Sequence, residues 1–164
     1  MAKDSTTYDP QTVSRFYDDY GNREWEWLDR SAHDRLIYHL HRHFLHDHIG
    51  VGKKVLDAGC GAGRFSIAMA ESGSSVSLAD ISQNQLRIAQ ENLSDGGYHA
   101  KVADVRYLKE IGDDSFDAVV CYGGVLNYLF DDAEAAVNEL MRVARRGGSV
   151  VVSVANVWGP CATL

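Results

Sequence analysis

The sequence predicts an α/β fold, a Rossmann-like doubly wound parallel sheet of about five strands. Three observations carry that expectation. Short apolar runs alternate with amphipathic helical segments, a glycine-rich turn joins the first run directly to a helix, and acidic residues stand just past three successive runs. Strands and helices that alternate at this spacing imply right-handed crossovers, and so a parallel sheet covered on both faces.

From Asp9 to about His48 the chain reads as helical, with Leu36, Ile37, Leu40 and Phe44 on one face; Gly50 and Gly52 end it. This makes residues 1–50 a helical extension or lid and residues 51–164 the core, within a single domain. Lys54 to Asp57 is the first strand, Gly59-Cys60-Gly61-Ala62-Gly63 the turn, and Phe65, Ile67, Ala68 and Ala70 mark the helix after it. Ser75 to Ala79 is the second strand, and Ser82 caps a helix bearing Leu86, Ile88, Ala89 and Leu93. A third strand is expected at about His99 to Ala103 and a fourth at Phe116 to Cys121. An amphipathic helix then runs from Asp132 to Arg146, and Ser149 to Val154 is the fifth strand. Arg142, Arg145 and Arg146 are read as cations favoured at that helix's C-terminal end.

Composition bounds the function. With 45% hydrophobic and 24% charged residues the chain is ordinary for a globular domain. A net charge of −7 with no basic stripe argues against nucleic acid as a partner. No apolar run is long enough for a bilayer and the first ten residues are polar, so the expected location is cytoplasmic, without membrane association. Cys60, Cys121 and Cys161 are widely spaced and are read as reduced thiols, with no metal site. His39, His43 and His46 share a helical face but lack a carboxylate-bearing motif, and read as a polar face.

In a sheet of this kind the ligand lies at the carboxyl ends of the strands, beside the switch in strand order. The candidate binding residues are therefore Asp57, Gly59, Cys60, Gly61 and Gly63 after the first strand, Asp80 and Ile81 after the second, Asp104 and Val105 after the third, and Cys121 and Tyr122 at the end of the fourth. Glycines let a ligand approach the backbone closely, and a carboxylate such as Asp80 accepts two hydrogen bonds from ribose hydroxyls. Asp104 is placed to accept from an adenine amino group, with Ile81 and Val105 covering the ring.

The segment Val55-Leu-Asp-Ala-Gly-Cys-Gly-Ala-Gly-Arg-Phe65 resembles the first motif of class I S-adenosylmethionine-dependent methyltransferases. Leu78-Ala-Asp-Ile-Ser82 and Val102-Ala-Asp-Val105 resemble that family's second and third cofactor segments, in the right order and spacing over about Lys54 to Asn156. The resemblance implies S-adenosylmethionine as cofactor and methyl transfer to a small-molecule acceptor. It also implies a lid from the N-terminal aromatic segment, where Tyr17, Tyr20 and Arg23 are placed to touch the methionine end.

A dinucleotide-binding, NAD(P)-type domain is the main alternative, because it shares the G-x-G loop and the following acid. Against it, a pyrophosphate on this loop would be repelled by Asp57, whereas S-adenosylmethionine is cationic. Where methyltransferases of nucleobase or glutamine nitrogen carry [ND]-P-P-[YF], this chain has Cys121-Tyr-Gly-Gly124. The segment from Val55 onward is similar instead to quinone-biosynthesis and related small-molecule enzymes. The family continues past the fifth strand with a helix and an antiparallel strand pair, while this chain ends at Leu164. A C-terminally truncated core is thus expected, its fifth strand an exposed apolar edge open to homodimer formation. A non-catalytic cofactor-binding module is the further alternative.

Overall fold

The computed structural model describes residues 7–93 and 98–155; Cys161 and the end of the expected fifth strand's continuation lie outside them. Five parallel strands form one sheet: β1 (Lys54–Ala58), β2 (Ser75–Asp80), β3 (Ala100–Val102), β4 (Phe116–Cys121) and β5 (Ala144–Val152), in the order β3-β2-β1-β4-β5. The switch in direction falls between β1 and β4, where Val55 to Asp57 pair with Ala118 to Val120.

The N-terminal region forms several helices, as expected. Asp9 caps α1 (Pro10–Tyr20) through a side-chain bond from the Gln11 amide, and Pro10 supplies the first-turn geometry. Gly21 at φ 57° stops α1. The short α2 (Arg23–Glu26) and a 3-10 turn (Trp27–Asp29) follow, before Ser31 caps α3 (Ala32–Ile49) by accepting from Asp34 N. Three further helices complete the layers: α4 (Arg64–Glu71), α5 (Gln83–Asn92) and α6 (Ala133–Val143).

Strand residues alternate between two cores, as the two-residue period requires. Leu56, Val119 and Cys121 face Leu140 and Val143 of α6, while Val55, Ala118 and Val120 face Leu45 and Ile49 of α3, Met69 of α4 and Leu86 of α5. Each such large side chain contributes about 1.5–3 kcal/mol on burial. Coverage on both faces is why β1 and β4 read as continuous apolar runs. No helix among the described residues is long and apolar enough to cross a membrane.

The last two elements differ from expectation. The helix ends at Val143, and β5 begins at once with Ala144, so Arg145 and Arg146 lie in the strand. A register shift between Phe116 and Ala118 accommodates Gly147 at φ 73°. Only Arg142 occupies the helix end, where it pairs with Glu139 and Asp113 and donates to the Ile111 and Leu108 carbonyls. Arg145 instead pairs with Asp117 across the strands. Acidic partners on β4 and its approach thus outcompete the helix dipole for these cations.

Candidate active site

Beyond the carboxyl ends of β1, β2 and β4 lies a cleft lined by apolar and aromatic side chains with a few polar groups among them. Of the residues expected to bind, Gly59, Gly61, Asp80, Ile81, Val105 and Tyr122 line it. Asp57 and Cys60 line a smaller lobe on the far side of the glycine turn, and Gly63 lies at the start of α4 behind both.

Asp80 organises the turn. Its two oxygens accept from the backbone amides of Gly61 (2.8 Å) and Ser82 (2.8 Å), which ties the end of β2 to the loop after β1. Burial nevertheless raises its carboxyl above the usual range, opposed by those amide bonds. Asp57 is 1% exposed and points to the α4 face, accepting from Ser66 Oγ. Desolvation pushes it up to about 7, the Ser66 bond working in the opposite direction. The turn needs its glycines: a Cβ on Gly59 would stand 2.5 Å from Val125 Cγ2, and one on Gly63 would stand 3.0 Å from Ala89 Cβ on α5, both at positive φ.

Three expected residues are placed elsewhere. Asp104 is not among the residues lining the cleft. Its carboxylate accepts from the backbone N, Nε and Nη2 of Arg106, which also reaches Asp132, and it borders a shallower surface with Arg106 and Tyr107. Cys121 is fully buried beneath the cleft, in the α6-side core, and desolvation raises its thiol to about 12. Cys60 is likewise raised by burial, so neither thiol is an activated nucleophile. Tyr20 stacks on Phe16 at 5.6 Å and is not a lining residue. Among the described residues no group of His, Cys, Asp and Glu is arranged to hold a metal, His39, His43 and His46 included.

Sequence reasoning missed Tyr8, Val13, Glu24, Ala103, Val125, Tyr128 and Leu129, which complete the wall. Tyr17 lines the cleft in the expected lid segment, and its hydroxyl donates to Tyr128 across the roof at 3.1 Å. The lid is pinned by α5: Ser82 Oγ and Asn84 N donate to Asp18, and Gln85 Nε2 donates to the Tyr17 and Gly21 carbonyls. Asp18 and Gln85 were polar residues at mutually facing helix ends, a signal visible only once α1 and α5 are paired. Glu24 was hidden within Arg23-Glu-Trp-Glu-Trp27, where two acids alternate with aromatics.

A parallel sheet in this order, with a glycine turn after β1 bonded to an acid at the end of β2, defines the class of nucleoside-binding Rossmann-like domains to which class I methyltransferases belong. The chain matches the family described as Methyltransferase domain over residues 55–148, more than half its length, and it belongs to that family. S-adenosylmethionine is the cofactor of this family, which sets aside the dinucleotide alternative. The ubiquinone biosynthesis O-methyltransferase of Azoarcus sp. (strain BH72) is 31% identical over 157 residues, covering 93% of this chain and 65% of that protein. Methyltransferase GfsG of Streptomyces halstedii is 32% identical over 110 residues, 64% of this chain and 38% of that one. The chain thus spans less than two thirds of the length of these curated relatives. In fold it resembles the PH0226 protein of Pyrococcus horikoshii OT3, with a TM-score of 0.67 at 25% identity over 77% of this chain and 61% of that one. It also resembles the magnesium protoporphyrin IX methyltransferase of Synechocystis PCC 6803 with bound SAH, with a TM-score of 0.66 at 24% identity over 83% and 68%.

Proposed function

We propose that this chain carries the cofactor half of a methyltransferase acting on a small-molecule acceptor. The observation that carries the reading is the cleft itself, where Asp80 and the backbone of Gly59 and Gly61 share one wall. Asp80 would hold the ribose hydroxyls, and Ile81, Ala103, Val105 and Leu129 offer an apolar slot for the adenine ring. Bound there, S-adenosylmethionine supplies a methyl group already activated by its sulfonium. The protein's own work is to position, to exclude water and to match charge. Tyr17 and Tyr128 close the roof, and Glu24 and Asp80 are the acids that line the cleft where a cationic ligand would sit.

Several features support a small acceptor. The net charge is −7, the roof is aromatic, and the relatives include a ubiquinone biosynthesis O-methyltransferase. Residues 1–50 act in this reading as the lid and residues 51–164 as the core. Calorimetric titration with S-adenosylhomocysteine tests it, with NADH as control and Asp80→Ala alongside. Micromolar binding, about −8 kcal/mol, that is lost in the variant and absent for NADH is the expected result. Binding of NADH alone would overturn the reading. Turnover with a panel of acceptors separates an enzyme from a cofactor-binding module.

We also propose that two copies pair through β5. Its outer edge is unpaired among the described residues, and Val150 and Val152 are exposed beside Leu40 and Phe44 of α3. Sedimentation should show a concentration-dependent dimer; a monomer at all concentrations would refute the pairing.

A further inference from the structure

The N-terminal segment divides at Gly21 into two parts that the fold holds in different ways. Beyond Gly21 the chain is built into the body of the protein. Leu28 is 1% exposed, and Leu45 and Ile49 of α3 lie in one core cluster with Val55, Met69 and Leu86. Arg64 of α4 pairs with Asp29 at 2.7 Å and stands over the Trp25 ring, which fixes α2 and the 3-10 turn as well. Before Gly21, α1 has no buried residue. Its side chains Val13 and Tyr17 line the cleft, as does Tyr8 just ahead of the helix.

What holds α1 down is polar. The first turn of α5 grips its last turn: Ser82 Oγ (2.5 Å) and Asn84 N (3.1 Å) donate to Asp18 Oδ1, and Asn84 Nδ2 donates to the Asp18 carbonyl at 2.8 Å. Gln85 Nε2 donates to the Tyr17 and Gly21 carbonyls, and Ser14 Oγ to the Ile81 carbonyl. Each of these bonds replaces one to water, so little is lost when the helix lifts. Docking also encloses an unsatisfied group: Gln85 Oε1 is buried with no hydrogen-bond partner among the described residues, and lifting α1 would let water reach it. Gly21 has φ 57° and ψ −135°, which a residue with a Cβ rarely adopts, and an added Cβ would meet only Asn84 Nδ2, at 4.0 Å. The bend there is set by backbone conformation, without packing around it.

An element with few buried apolar contacts and with hydrogen bonds that water can replace opens at a lower free energy than the rest of a fold. A ligand in the cleft changes that balance, because it gives Tyr8, Val13 and Tyr17 the apolar contact that the core does not. We infer that α1 is a strap, hinged at Gly21 and caught by the first turn of α5, which opens locally in the free protein and closes over bound cofactor, while the chain from Arg23 onward is fixed frame. The inference rests on the S-adenosylmethionine reading above and confines the moving part of the N-terminal region to α1 and the residues just before it. The catch is tied to the cleft through one residue: Ser82 donates from its backbone N to Asp80 and from its Oγ to Asp18. Strap and cofactor carboxylate thus share a turn.

Amide hydrogen exchange, read separately for α1 and α3, tests this with and without S-adenosylhomocysteine. In the free protein α1 should exchange at least about tenfold faster than α3. With the ligand at about one hundred times its Kd, exchange in α1 should slow about a hundredfold, since the strap then opens only when the ligand leaves. Gly21→Ala, which disfavours the docked backbone, and Asp18→Ala, which removes the acceptor of the catch, should each abolish protection in α1 and leave free α3 unchanged. If the docked population falls to about a tenth, each variant binds S-adenosylhomocysteine about tenfold more weakly. Equal exchange of α1 and α3 in the free protein, or variants that speed α3 as much as α1, would overturn the division into strap and frame. Ligand binding that leaves α1 exchange unchanged would overturn the closure alone. Failure of the unaltered protein to bind S-adenosylhomocysteine would instead overturn the cofactor reading, and the closure with it.

Discussion

Gly63 offers the sharpest test of how the glycine turn is built. It opens α4 at φ 82°, a left-handed conformation that costs an alanine about 1 kcal/mol. Its added Cβ would also meet Ala89 of α5 at 3.0 Å (Cβ) and 3.1 Å (Cα). The second of these belongs to the backbone of a packed helix, so α4 and α5 must part, at about 1–3 kcal/mol for overpacking. Gly63→Ala should therefore cost about 2–4 kcal/mol, a fall in Tm of roughly 4–16 °C for a domain of this size. Gly52→Ala is the matched control: it too has positive φ (68°), but nothing lies within 4 Å of its Cβ. It should lose only the conformational part, about 1 kcal/mol. Thermal unfolding of the two variants side by side isolates the close approach. Equal losses would refute the argument that α4 and α5 pack through this position, and no loss at Gly63 would refute the turn geometry as well.

Two other perturbations follow from the buried charges. Because Asp57 is held up to about 7 by burial, the folded chain binds more protons than the unfolded one from about pH 4 upward, so this residue's effect is to lower stability as pH rises toward 7, with no further change above it. The span is on the order of 4 kcal/mol. Denaturant unfolding of Asp57→Asn and the unaltered chain at pH 5 and pH 8 should show the variant gaining ground at the higher pH, and parallel behaviour would contradict the burial argument. Arg106 pairs with Asp104 at 2.8 Å, with both side chains less than a sixth exposed. Arg106→Met should thus cost about 3 kcal/mol by stranding the carboxylate, and adding Asp104→Asn should restore part of it, whereas simple additivity in thermal unfolding would show that the pair is not coupled.

Local chemistry made much of this molecule legible in its sequence. Val55 to Asp57 and Phe116 to Cys121 are apolar because both faces of a central parallel strand are covered, and they were placed to within a residue. Gly59 and Gly61 were legible because a turn of this kind needs positive φ, whereas Asp80 was read as an acceptor for ribose hydroxyls and its bond from the Gly61 amide came only with the structure. The start of β5 was illegible. Arg145, Arg146, Gly147 and Gly148 have no strand propensity of their own, and pairing with β4 through a bulge draws them into the sheet.

The sequence by itself determined the succession of strands and helices and the glycine turn, since each rests on periodicity or on the backbone needs of a few adjacent residues. Only the tertiary structure decided which N-terminal side chains reach the cleft. Tyr17 and Glu24 enter it while Tyr20 does not, and Asp104 turns to Arg106 instead. Those choices depend on how α1 and α2 dock against α5 and the glycine turn, through bonds such as Gln85 to Tyr17 and Gly21 that join residues more than sixty positions apart. No local pattern encodes such a pairing, because its free energy exists only when both partners are already held in place.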